Sequence, residues 1–238
     1  MPFRPEPPEA MRVPPLAGKL VSIAALGFAL RVAARSYSGE ADFWANGYGF
    51  FFELAHNIAA GNGLAFDGGT PTAYRVPLYP LFLSAVTLGQ QAFVSVLLWQ
   101  SLIGAGTVLC TALIARELFG SGAAMIAATL SAIYPYYVVH DTALQETSLY
   151  TFLTALAVLL LVQARRTESM TSAAGAGLAL GAALLTRANL APFVVLAPLC
   201  LALAPASPTR WSGHKLRAAL VCLVMVAITV SPWLIRSY

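Results

Sequence analysis

The sequence predicts an all-α fold: a polytopic transmembrane helical bundle with an extracytoplasmic first loop that carries interfacial helices. Three observations predict it. Charged residues make up 10% of the 238 residues, against roughly 25% in ordinary soluble domains, while the hydrophobic fraction is 58% and the mean hydropathy is +0.73. Apolar stretches recur at close to the roughly 20 residues a helix needs to cross the hydrocarbon core. Between the first two of them lies a long segment that is amphipathic instead of uniformly apolar.

Taken in order, the first span is residues 20–34. Arg31 interrupts it, and a cation near a helix end can extend to the interface, so Arg31 is expected among the lipid headgroups, with Arg35 beside it. Residues 92–115, 121–139 and 147–164 carry no charge at all and are secure spans. Residues 171–186 and 188–208 are divided by Arg187, with Pro192, Pro198 and Pro205 in the second, and read as two short or kinked spans joined by a tight turn. Residues 218–235 make the seventh. Gly177 and Gly181 form a small-xxx-small pair that permits close helix approach. Cys110, Cys200 and Cys222 lie in apolar runs and read as buried small hydrophobes, not as disulfide or metal ligands.

Charge orients the seven spans. With the N-terminus cytoplasmic, the inside segments hold Arg4, Arg12, Lys19, Arg116, Arg165, Arg166, Arg210, Lys215 and Arg217, the larger share of the 14 basic residues. Arg31, Arg35, Arg75, Arg187 and Arg236 fall outside. The positive-inside bias favours this arrangement. Glu40, Asp42, Glu53, Asp67, Asp141 and Glu146, six of the ten acids, are then outside as well, so the outer face is where carboxylate chemistry is available.

The outer segment 35–91 has its own pattern. In "GYGFFFELAHNIAAG", Phe51, Leu54, Ala55 and Ile58 share one helical face, while Glu53, His56, Asn57 and Ala60 share the other, the signature of a helix lying in the membrane interface. Gly61 is placed to end it. The "TAYRVPLYPLFL" stretch follows a turn-rich "GNGLAFDGGTPT", and the 14 residues 77–90 are too few to span, which fits a re-entrant or half-inserted helix. Such backbone is tolerated where it lines a protein cavity.

The order of short motifs carries a resemblance. An arginine ends the first span, an acidic loop follows, and then come "ELAHNIAAGNGL", "TAYRVPLYPLFL", "RELFG", "ALQETSLYTFL", "LLTRANL" and "PWLIRSY". In this order the chain resembles the N-terminal membrane half of the GT-C superfamily glycosyltransferases, the family 39 or protein mannosyltransferase-like group, over about residues 20–238. The resemblance implies a single membrane domain over 1–238, truncated at its C-terminus. It implies a hexosyl- or pentosyltransferase that takes sugar from a polyprenyl-phosphate carrier to a lipid, glycan or protein acceptor. Its place would be the extracytoplasmic face of the cell's inner membrane, with no nucleic acid among its partners.

The family's first-loop acid, general base on the acceptor, carries over to Asp42 or Glu40. The family's acid commonly stands nearer the interfacial helix, where this chain has Asn46 and Gly47, so the choice between the two stays open. A carboxylate within reach of an acceptor hydroxyl can take its proton as the oxygen attacks the anomeric carbon, and a single displacement inverts the configuration. Glu146, at the outer entrance of the fourth span, is a candidate to hold a divalent cation or orient the acceptor. Asp141 reads as a bland loop charge and His140 as a headgroup contact. Arg75, pinned by Pro77 and flanked by Tyr74 and Tyr79, is placed to pair with the donor phosphate, and Arg187 and Arg31 can share that task. Two other classes stay open: an inactive or regulatory membrane fragment of such an enzyme, and a transporter, which would need charges inside the spans.

Overall fold

The computed structural model describes residues 15–66, 70–203 and 213–237. Asp67, Pro205 and Arg210 lie outside that set. The described helices are α1 Pro15–Asn46, α2 Gly49–Ala59, α3 Leu78–Thr87, α4 Phe93–Phe119, α5 Ser121–Ile133, α6 Pro135–Asp141, α7 Thr147–Thr167, α8 Met170–Leu184, α9 Ala191–Leu203 and α10 Gly213–Ser237. A minimal antiparallel ladder, β1 Ala65–Phe66 on β2 Thr70–Pro71, closes the turn-rich segment between α2 and α3.

Four helices, α1, α4, α7 and α10, are long and apolar enough to cross a membrane, and the pair α5 and α6 counts as a fifth, bent by 54°. The bend has a local cause. Tyr134 is extended because Pro135 follows it, and Pro135 opens α6, a position where its missing N–H leaves nothing unpaired. Of the seven expected spans, α8 and α9 are described over 15 and 13 residues, each short of spanning length by itself. The tight turn expected at Arg187 is present as the 3-10 turn Ala188–Leu190. Helix α1 runs 12 residues beyond the first expected span and breaks only at Gly39, whose φ of 85° suits a residue without a side chain. Glu40 and Asp42 therefore stand on a helical turn past the break, not in an open loop.

Packing divides into three apolar clusters. Alanines of α4 and α5, with Leu20 and Ala24 of α1, form one. Helices α7 to α10 form the second around Leu180, Val194, Cys222 and Val226. In it the glycine pair of α8 lets α10 come close, Gly177 against the backbone of Cys222 and Gly181 against the side chain of Thr229. A methyl group at Gly177 would collide with the carbonyl oxygen of Cys222, and one at Gly181 would lie 2.7 Å from Thr229 Cβ, so only glycine permits this approach. The third cluster joins Phe43, Phe51, Ala55, Tyr79, Leu83, Val96 and Leu144 beneath the first loop. Asn57, expected on the polar face of α2, is buried with these residues because its side-chain amide donates to Ala65 O at 2.8 Å and so pins β1 to the helix. Cys200 is exposed, unlike Cys110 and Cys222, because its stretch of α9 is covered on one side only.

Arg31 corrects the reading of the first span. It is fully buried, not extended to headgroups, and its Nε and Nη2 both lie 2.9 Å from Asp141 Oδ2. Asp141 is equally buried, so it is no bland loop charge. A methyl group at Gly104 of α4 would sit 2.5 Å from Arg31 Nε and 2.8 Å from Asp141 Oδ2; the absent side chain there makes room for the pair.

The bundle has two chemically different ends. At one, Arg166 pairs with Glu117 at 2.9 Å and His214 bonds Glu168 O. At the other, Arg236 of α10 donates to Leu64 O and Thr72 O, Leu78 N donates to Leu185 O, and Glu146 meets Arg187. The second end thus gathers the 35–91 segment, the one that the basic-residue bias leads one to expect on the outer side. A cysteine introduced at Phe66 in a background lacking the three native cysteines is expected to react with a membrane-impermeant maleimide in sealed cells. Labelling only after permeabilisation would reverse the orientation.

Candidate functional site

The two first-loop acids occupy different environments. Asp42 is half-buried; its Oδ2 accepts from Arg35 Nη1 at 2.7 Å and its Oδ1 from Asn46 Nδ2 at 2.6 Å. Glu40 is exposed and accepts from Trp44 Nε1, one helical turn on, at 3.1 Å. Arg35, expected at the headgroups, is buried instead. It spans the Gly39 break to reach Asp42, and its Nε approaches Thr142 Oγ1 at 3.5 Å. Asn46 is thereby the second side-chain partner of Asp42.

Glu146 and Arg187 meet. Arg187 Nη2 and Nε lie 2.7 and 3.0 Å from Glu146 Oε1, and the guanidinium lies over the Tyr150 ring at 5.1 Å. They come together because α7 starts where α8 ends: the two helices pack antiparallel, so their loop-end termini are neighbours. Oε2 of Glu146 is buried with no hydrogen-bond partner. Close by is Tyr79 of α3, fully buried, its hydroxyl facing Gln100, the Gln145 backbone and the Glu146 charge without a well-formed hydrogen bond. Burial first, and the Glu146 carboxylate second, push the Tyr79 hydroxyl well above the ordinary phenol range. It is therefore a neutral group able to donate a proton in a hydrogen bond at any physiological pH.

Arg75 sits just before α3, half-buried, with its guanidinium 4.7 Å from the Phe50 ring centre and 4.8 Å from that of Tyr74. Among the described residues it has no carboxylate partner, and its Nε is buried without a hydrogen bond. The aromatic triplet Phe50, Phe51 and Phe52 of α2 makes this possible. Phe51 packs edge-on against Tyr79 at 4.8 Å, which fixes the α2 and α3 faces, while Phe50 supplies the ring under the cation. Arg75 thus holds a charge at the mouth of a 10-residue helix with neither a counter-ion nor full hydration.

A divalent cation anticipated at Glu146 would meet a carboxylate that is already paired. Arg187 already neutralises the carboxylate, and among the described residues no three His, Cys, Asp or Glu side chains come together to hold a metal. His140, expected as a headgroup contact, faces Gln145 Nε2 through its Nδ1 at 2.8 Å while its ring packs on Tyr136. Sequence reasoning missed Gln100 and, although it put Arg35 and Arg236 on this side, missed their partners. Gln100 carried a signal, being a large amide in the middle of an apolar helix, where an unpaired polar group is costly. Arg236 carried none, because its two acceptors are backbone carbonyls of Leu64 and Thr72, more than 160 positions away.

No curated protein matches the chain. The match is to a family: residues 74–235, about two thirds of the chain, fit the family described as dolichyl-phosphate-mannose-protein mannosyltransferase. That range runs from Tyr74 and Arg75 through Glu146 and Arg187 to the end of α10. With its multi-pass helical architecture and this match over most of its length, the chain belongs to the dolichyl-phosphate-mannose-protein mannosyltransferase family of membrane glycosyltransferases.

Proposed function

We propose that the chain transfers a sugar from a polyprenyl-phosphate donor to an acceptor hydroxyl on the extracytoplasmic face of the plasma membrane, by a single inverting displacement. The observation that carries this reading is the disposition of charge at one end of the bundle. A half-buried carboxylate, Asp42, is held by two side-chain partners, while Arg75 presents a guanidinium without a carboxylate among the described residues, beside a short apolar helix. Nucleotide sugars are not available outside the membrane, so an outward-facing site calls for a lipid-linked donor. The apolar chain of such a donor suits the membrane-facing helices, and its phosphate suits Arg75.

In the step, Asp42 takes the acceptor proton as the hydroxyl oxygen forms its bond to the anomeric carbon. The bond from that carbon to the phosphate oxygen breaks, and its electron pair leaves with the polyprenyl phosphate. Charge grows on the leaving oxygen, where Arg75 stabilises it through hydrogen bonds that strengthen as the charge develops. Arg187 is the weaker candidate for the same task, since its Nε and Nη2 are engaged by Glu146. Glu146 in turn is placed to orient the acceptor through its free Oε2.

The test uses the purified protein in detergent with synthetic polyprenyl-phosphate mannose and an acceptor panel of peptides, glycans and lipids. The expected product carries an anomeric configuration opposite to that of the donor, read by NMR coupling constants. Retained configuration would exclude single displacement, and absence of transfer to every acceptor would favour a regulatory role for this chain.

A further inference from the structure

Arg31 grips both sides of the bend between α5 and α6. Its Nη1 donates to Ala132 O at 3.3 Å and to Gly27 O at 3.0 Å, while Nε and Nη2 hold Asp141 Oδ2. Ala132 lies in the last turn of α5, whose carbonyls lose their helical partners at the Tyr134–Pro135 break, and Asp141 is the last residue of α6. One guanidinium therefore caps the carbonyl end of the first half-helix and holds the carboxylate that ends the second, which is the favourable sign at a helix C-terminus. Gly27 and Gly104 leave the space it occupies.

Asp141 also begins a strap, residues 141–146, that is tied down along its length. Thr142 Oγ1 meets Arg35, the residue that holds Asp42. Gln100 Nε2 reaches Ala143 O at 3.0 Å and Gln145 O at 3.3 Å. Leu144 O accepts from Tyr48 N at 3.0 Å, and Glu146 ends the strap on Arg187. The strap touches the Asp42 side through Arg35 and the Arg187 side through Glu146.

Stability is a poor reason for the buried pair. Removing two charges from water costs several kcal/mol per ion in practice, and apolar residues of similar volume often serve as well or better. We propose that Arg31 and Asp141 are positioning residues for the transfer reaction: by clamping the bend they fix the start of the strap, and so the spacing between Asp42 and the Glu146–Arg187 pair. This rests on the assignment of Asp42 and Glu146 to the reaction.

The test replaces both partners at once, Arg31→Met with Asp141→Leu, which leaves no unpaired buried charge. Gly104→Ala is the second variant; it keeps both charges but forces the pair to shift, and it serves if the double variant does not fold. Nitroxides on cysteines placed at the exposed Ala45 and Asn189, in a background without native cysteines, report the spacing. A narrow distance distribution is expected in the parent and a visibly broader one in the variants. Turnover should fall by about tenfold to a hundredfold, the scale of a misplacement near 1 Å, with the donor KM within about twofold of the parent's. An unchanged distribution, or broadening with parental turnover, would overturn the positioning role. The assignment of the base fails separately: Asp42→Asn with full turnover would remove it, while the distance measurement still reports whether the clamp fixes the strap.

Discussion

Asp42→Asn is expected to lower sugar transfer by about 10² to 10⁴ in turnover, the usual contribution of a general base, with folding and donor affinity close to the parent's. Asparagine keeps the shape of the side chain and one acceptor oxygen for Arg35 or Asn46, so the turn beyond Gly39 has little reason to rearrange. What is lost is the ability to take a proton, and that is needed only as the acceptor oxygen attacks. The loss should therefore appear in kcat and kcat/KM together, not in binding. Glu40→Gln is the control, because Glu40 is exposed and its bond to Trp44 survives as an amide. Single-turnover transfer with pre-bound donor measures the step directly. Near-parental turnover in Asp42→Asn with a collapse in Glu40→Gln would move the base to Glu40; parental rates in both would place it outside the first loop.

Arg75→Ala is expected to weaken donor binding by about tenfold to a hundredfold, the worth of one or two charge-assisted hydrogen bonds. Arg75→Lys should recover part of this. The difference has a structural origin: the guanidinium lies within 5 Å of the ring centres of Phe50 and Tyr74, and a planar fork held against rings can meet two phosphate oxygens at once, whereas an ammonium group is a point charge on a flexible stem. Affinity for a neutral acceptor should not change in either variant. Binding is measured in detergent with a polyprenyl-phosphate sugar by calorimetry or fluorescence. Unchanged donor affinity in Arg75→Ala would make Arg75 a headgroup anchor and pass the phosphate to Arg187, which would then have to share its guanidinium with Glu146.

The sequence by itself determined the membrane setting, the helical class, the amphipathic α2, the short apolar α3 and the break at Arg187. Each of these rests on local chemistry: hydropathy over one helix length, period along one face, and proline or glycine at one point. It also marked Asp42, Arg75, Glu146 and Arg187, since charges are so few in this chain that nearly every one stands out. Only the tertiary structure decided which charges meet. Arg31 and Asp141 are 110 positions apart, Glu146 and Arg187 are 41, and whether a cation faces lipid headgroups or a buried carboxylate depends on which helix face opposes it. The small-residue gaps at Gly27 and Gly104 that admit Arg31 look, in sequence, like any glycine in an apolar helix; they acquire meaning only when α1, α4 and α6 pack together. Two of the expected spans are shorter than the apolar stretches suggested for a related reason. Apolar composition limits where a helix can lie, but turns decide its length: α8 ends at Leu184, before the 3-10 turn that follows Arg187.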